Sequence, residues 1–99
     1  MTINKNINGN ELEIALEGRL DTITAPELEA SVKEELNTVS KCVIDLSKLE
    51  YVSSAGLRVL LTMHKALAGK DGLVVKSANE TVSEVFEVTG FSDILTIVD

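Results

Sequence analysis

The stretch Val43 to Leu61, VIDLSKLEYVSSAGLRVLL, changes its period in the middle, and that change decides the fold. Cys42, Val43, Ile44 and Leu46 form a short apolar run. It is too short for a stable helix and is suited to a strand buried on both faces, a central strand of a parallel sheet. From Ser54 onward the apolar residues recur at helical spacing, with Leu57, Leu60, Leu61, His64 and Leu67 on one stripe before Gly69 and Gly72 stop it. A polar Tyr-Val-Ser-Ser loop, Tyr51 to Ser54, joins the two. Loops at the carboxyl ends of parallel strands are where α/β proteins usually place their functional sites.

Working outward, the same two periods repeat. Ile3 to Ile7 and the alternating Leu12, Ile14 and Leu16 flank Asn8-Gly9-Asn10, which reads as a hairpin with a tight turn. Gly18 ends the second strand. Thr24 and Glu27 make a Ser/Thr-x-x-Glu capping pattern, with Pro26 tolerated in the first turn of the helix. Leu28, Val32, Leu36 and Val39 then give that helix one apolar face, while Glu27, Glu29, Lys33 and Glu34 turn to water. Beyond the central unit, Leu73 to Val75 predict another buried strand. Asn79 caps a third helix carrying Val82, Val85 and Phe86, Gly90 ends it, and Ile94 to Val98 supply a last strand. The order ββαβαβαβ implies an α/β fold with right-handed crossovers and a mostly parallel sheet. One antiparallel strand is added by the opening hairpin, and helices pack against the sheet. No linker, repeat or low-complexity segment interrupts residues 1–99, which read as one domain.

Composition narrows the function. A 99-residue chain with 44% hydrophobic residues supports one aliphatic core, and its three aromatic residues are too few for base or sugar stacking. A net charge of −7 opposes binding to nucleic acid or anionic lipid, which rests on clustered Lys and Arg, so a protein partner is expected. The single Cys42 excludes an intrachain disulfide and agrees with a reducing compartment, the cytoplasm. No secretory signal or membrane-spanning apolar run is present, and no cofactor or metal motif is found.

Two segments carry a family resemblance. Asp45-Leu46-Ser47 followed by Val52-Ser53-Ser54-Ala55-Gly56-Leu57 resembles the signature of the STAS family, the sulfate transporter and anti-sigma factor antagonist domain. Glu17-Gly18-Arg19-Leu20-Asp21-Thr22, with Ala25-Pro26 beyond, is similar to the family's Gly-x-Leu-Asp segment before the first helix. The resemblance spans essentially the whole chain and implies an anti-sigma factor antagonist. Such a protein holds an anti-sigma factor kinase of the GHKL type while unphosphorylated, frees a sigma factor, and is reset by a phosphatase. In family antagonists the loop typically reads Asp-Ser-Ser/Thr-Gly-Leu. Alignment on Gly56-Leu57 puts Ser54 at the phosphoacceptor position, Ser53 in place of the aspartate and Ala55 in place of the second hydroxyl residue. The resemblance further implies a partner surface of Asp21, Thr22, Ser53, Ser54, Ala55, Gly56 and Arg58.

Each of these residues also has a plainer reading. Ser54 or Ser53 could simply cap the second helix. Asp21 could be a solvated turn residue, and Asp45 a residue that shapes its own turn. Cys42 behaves as a small hydrophobe and His64 as a partly buried packing residue. Val59 and Met63 fall off the main leucine stripe and either complete the core or form a small exposed patch. An enzyme is not expected: there is no nucleophile elbow or Walker loop. His64 is also about two and a half helical turns, roughly 15 Å, from Ser54. The alternative is a STAS subunit of a transporter or other signalling assembly that binds without phosphorylation control.

Overall fold

The computed structural model describes residues Met1–Asp99. Along the chain come β1 (Thr2–Asn8), β2 (Glu11–Leu20), α1 (Ala25–Val32), β3 (Lys41–Val52), α2 (Ser54–Leu67), β4 (Gly72–Lys76), α3 (Glu80–Val88) and β5 (Thr96–Val98). Short 3-10 turns lie at Glu35–Asn37 and Phe91–Asp93. The strands form one sheet in sequential order β1-β2-β3-β4-β5, with β1 antiparallel to β2 and the others parallel. Asn8 pairs with Glu11, so the opening hairpin turns through Gly9 and Asn10, and Gly9 takes the positive φ (65°) that such a loop needs.

Sequential order has a direct consequence. Every crossover steps in the same direction, and crossovers of one hand stepping one way bring all the helices to the same face of the sheet. Leu12, Ile14 and Leu16 of β2, Cys42, Ile44 and Leu46 of β3, and Leu73 and Val75 of β4 point into one cluster of 24 buried residues shared with the three helices. The intervening Glu13, Ala15, Val43, Asp45, Val74 and Lys76 lie half-buried on the other, open face. The third strand is therefore not buried on both faces as its composition suggested. Val43 is screened by neighbouring strands rather than by a second helical layer.

Three local expectations need correction. The strand β2 does not end at Gly18, which has φ 105° at an irregularity in the β2–β3 register, and pairing continues to Leu20 opposite Val52. Likewise β3 runs on through Tyr51 and Val52, so the Tyr-Val-Ser-Ser segment is not a loop. Two register shifts let the 12 residues of β3 match the 10 of β2 and re-phase the strand, so that Leu46, Leu49 and Val52 all face inward at a spacing that alternation alone would not allow. The first helix stops at Val32, and Leu36 and Val39 reach the same core from the 3-10 turn and the segment after it.

On α2 the buried stripe is Gly56, Leu57, Val59, Leu60, Met63 and Leu67, whereas Leu61 and His64 are only half-buried. Val59 and Met63 thus complete the core. The third helix starts as expected: the Asn79 side chain accepts from the Val82 amide at 2.8 Å, and Gly90 follows the helix with φ 81°. The same Asn79 donates to the Leu49 carbonyl at 2.8 Å, fastening α3 to β3.

The tightest junction is at Gly56. A Cβ built there would lie 2.7 Å from Leu20 Cγ, 2.9 Å from the Leu20 carbonyl oxygen and 2.9 Å from Val52 Cγ2. One of these is backbone, so no side-chain rotation relieves the clash. Gly56→Ala should destabilise the protein by about 1–3 kcal/mol, the usual cost of overpacking. Urea unfolding would show a lower midpoint with an unchanged slope. Burial pushes the Cys42 thiol from 9.0 up to about 12, with the Glu11 charge adding to the shift. The unfolded chain therefore loses this proton first as pH rises. The contribution to stability is complete below pH 9.0 and is lost progressively toward about 12. Cys42→Ala should remove that alkaline loss, and Ellman's reagent at pH 8 should label wild type only as fast as it unfolds.

Candidate functional site

The carboxyl ends of β2 and β3 meet at one place. Leu20 pairs with Val52, and the Ser53 amide donates to the Leu20 carbonyl at 2.8 Å. Ser53 alone separates β3 from α2. With an extended backbone (φ −97°, ψ 176°), Ser53 is the cap of α2, its hydroxyl accepting from the Gly56 amide at 3.4 Å. The first helical hydrogen bond runs from the Leu57 amide to the Ser53 carbonyl.

This resolves the two serines. Ser53 caps and is half-buried; Ser54 is the first residue of the helix, exposed, and its hydroxyl makes no hydrogen bond to the protein. An aspartate at position 53 would cap in the same way, so serine there keeps the local geometry and gives up only the charge. Ala55 is half-buried, Gly56 is buried under Leu20 and Val52, and Arg58 is exposed one turn beyond Ser54 on the same side of the helix.

The neighbouring loop is equally ordered. The Asp21 carboxylate accepts from the Ile23 and Thr24 amides, each at 3.0 Å, while the Thr24 hydroxyl accepts from the Asp21 amide at 2.9 Å. That reciprocal pair is a capping box, one turn earlier than the Thr24/Glu27 pair expected from sequence. Thr24 is not available to cap α1, because its hydroxyl turns back to donate to the Arg19 carbonyl at 2.7 Å. The Thr24 amide, with help from the Ile23 amide and Arg19, holds the Asp21 carboxyl below its usual range. Asp21 is thus a structural residue of the loop, and it stays ionised at neutral pH. Asp45 likewise accepts from the Ser47 amide at 2.8 Å, which holds its carboxyl below the usual range and shapes the irregular middle of β3.

Of the residues expected to form a partner surface, Asp21, Thr22, Ser53, Ser54 and Ala55 come together at this junction, with Arg58 on the adjacent helical turn; Gly56 lies beneath it as packing. The sequence reading missed two neighbours. Ile23, in the loop braced by Asp21, is 83% exposed. The signal was an apolar residue inside the polar run Asp-Thr-Ile-Thr. Arg19 lies over the Tyr51 ring at 4.6 Å and within 3.9 Å of the Asp21 carboxylate, a contact made only because the register shift sets Arg19 opposite Tyr51.

No grouping of His, Cys, Asp and Glu suited to a metal ion occurs, and no helix is long and apolar enough to cross a membrane. The sheet order never reverses, so there is no crevice of the kind in which doubly wound sheets bind nucleotides. What the junction offers is an exposed surface with the free hydroxyls of Thr22 and Ser54, the anchored carboxylate of Asp21, the guanidiniums of Arg19 and Arg58, and the bare Ile23.

The family model described as "Mlab, STAS domain" matches residues 3–98. A Bordetella bronchiseptica protein, BtrV, named as an anti-sigma factor antagonist, is 38% identical over 84 residues, covering 83% of this chain and 72% of its own. The crystal structure of a Thermotoga maritima protein described as an anti-sigma factor antagonist superposes with a TM-score of 0.89 at 25% identity, covering 98% of this chain and 86% of that one. The Bacillus protein SpoIIAA in its phosphorylated form shares the fold, with a TM-score of 0.76 at 17% identity over 99% of this chain and 92% of that one. On the family model and on its identity to the Bordetella bronchiseptica relative, the chain belongs to the STAS domain family.

Proposed function

We propose that this protein is an anti-sigma factor antagonist: a binding switch that sequesters an anti-sigma factor kinase while Ser54 is unmodified and thereby releases a sigma factor. One observation carries the reading. Ser54 is the exposed first residue of α2, with a hydroxyl committed to nothing else in the protein, because Ser53 already serves as the cap. The likeness to a relative named as an anti-sigma factor antagonist supports it, and so does the shared fold with a protein solved in a phosphorylated form.

The chemistry follows from where the hydroxyl is. Phosphorylation adds about −1.5 to −2 charges and three acceptor oxygens. At a helix N-terminus they meet amides that lack intrahelical partners and the positive end of the helix dipole, so the fold accommodates them. Arg58, one turn along, is placed to be drawn toward the phosphate and away from an acidic group of a partner. The docked partner meets added charge and bulk at the centre of its contact, while Ile23, Asp21 and Thr22 flank it. Association changes and stability does not. The kinase is of the GHKL type, and a phosphatase returns the protein to its binding form.

Incubation with such a kinase and ATP should place phosphate on Ser54, and Ser54→Ala should abolish labelling while leaving partner binding intact. Ser54→Asp should weaken binding of the kinase about tenfold or more, equivalent to about 1.4 kcal/mol, with no matching loss in thermal stability. Phosphate mapped to another residue, or undiminished binding by Ser54→Asp, would remove the basis for the switch. The lack of a carboxylate at position 53 favours a second reading, a constitutive STAS subunit of a transporter or other assembly. In that case affinity purification returns a transporter ATPase, and kinase treatment leaves Ser54 untouched.

A further inference from the structure

We infer that the outer edge formed by β5 and α3 is a second docking surface, which takes an extended basic segment of a partner protein as an added strand. The edge is distinct from the Ser54 junction, because strand order puts β5 at the end of the sheet, with β4 between it and β3. Of the large hydrophobic side chains left exposed by the fold, Ile94 (45% exposed) and Val98 (46%) are found here. Between α3 and β5 lies a depression of about 400 Å³ lined by Ser83, Phe86, Glu87, Ser92 and Ile97. The outer side of β5 is unpaired, whereas the opposite edge, β1, is a strand of Asn, Lys and Thr with only Ile7 exposed among its large apolar residues. Partner strands pair with exposed edges through the main chain, while alternate side chains enter pockets.

Charge identifies the occupant. After Lys76 the chain contains no Lys, Arg or His, whereas Glu80, Glu84, Glu87, Asp93 and Asp99 all follow it and are all exposed. None of them is in an ion pair; the protein's two ion pairs are Lys5–Glu35 and Arg19–Asp21. Glu80, Glu84 and Glu87 lie along one outward stripe of α3 at i, i+4, i+7 spacing, leading to Val88. A second copy of this chain would bring the same uncompensated acids face to face, and anionic lipid and nucleic acid are repelled for the same reason. Alternate side chains of an added strand face opposite sides of the sheet: Lys or Arg on the helix side reaches Glu87 at the depression and the acids of α3 beyond it, and the apolar set lies along Val98 on the open side.

The probe is a synthetic peptide of alternating Leu and Lys, with a Leu/Glu peptide as its counterpart, titrated into the full chain by calorimetry and mapped by amide chemical shifts. Binding by the Leu/Lys peptide, with shifts confined to α3 and β5, is expected, and none by the Leu/Glu peptide. Reversing two charges at the edge, in the double variant Glu84→Lys with Glu87→Lys, should weaken it about tenfold. The double variant Glu13→Lys with Glu17→Lys, which makes the same charge change on the open face of β2, should alter it less than about threefold, and Val98→Ser should weaken it without changing net charge. Absence of binding, equal losses in the two double variants, shifts centred elsewhere, or an unaffected Val98→Ser would each overturn the inference.

Discussion

At Gly56 the first turn of α2 rests on Leu20 and Val52 with no space for a methyl group, and this close approach organises the functional end of the molecule. Because the helix comes so near, its start is held by the ends of two strands at once. The Ser53 amide is bound to the Leu20 carbonyl, and the Ser53 hydroxyl turns forward to the Gly56 amide. The next residue therefore emerges at a fixed position with its hydroxyl facing solvent. A looser packing would leave two adjacent serines to exchange roles. Here one is committed to structure, and the other is left free.

The one-sided sheet sets the limits on what such a molecule can do. With strands added in one direction only, the helices bury a single face and the topology creates no switch-point crevice of the kind that binds nucleotides. Function is pushed to surfaces: the ends of β2 and β3, the open sheet face and the two edges. These differ in character. The β2–β3 end is mixed in charge and rigid, with Asp21 holding the Ile23 loop through two amides. The β5 edge is acidic and apolar, with no cation after Lys76. Two protein partners, or two parts of one, could be told apart by those differences alone.

Much of this was legible in the sequence, and the parts that were not share a cause. The ββαβαβαβ order, the antiparallel first strand, the Asn79 cap and the Ser54 position all depend on local period, turn chemistry or a short motif, which neighbours in sequence determine. Capping of α1 was misplaced by one turn, because Thr24 Oγ1 finds the Arg19 carbonyl across the end of β2, a partner that only the folded chain supplies. Likewise, Leu46, Leu49 and Val52 are spaced to suit neither simple alternation nor a strand ending at Leu46. Their common inward orientation comes from register shifts against β2.

The sequence by itself determined the element order, the single aliphatic core and the placing of paired serines at a strand-to-helix junction, because these follow from the spacing of apolar residues and from turn and cap preferences. Only the tertiary structure decided which serine caps and which is free, that one sheet face stays open, and that acids, Ile94 and Val98 gather at the β5 edge. Those outcomes depend on which strand lies beside which and how closely a helix approaches it, and such distances are set by packing between segments far apart in the chain.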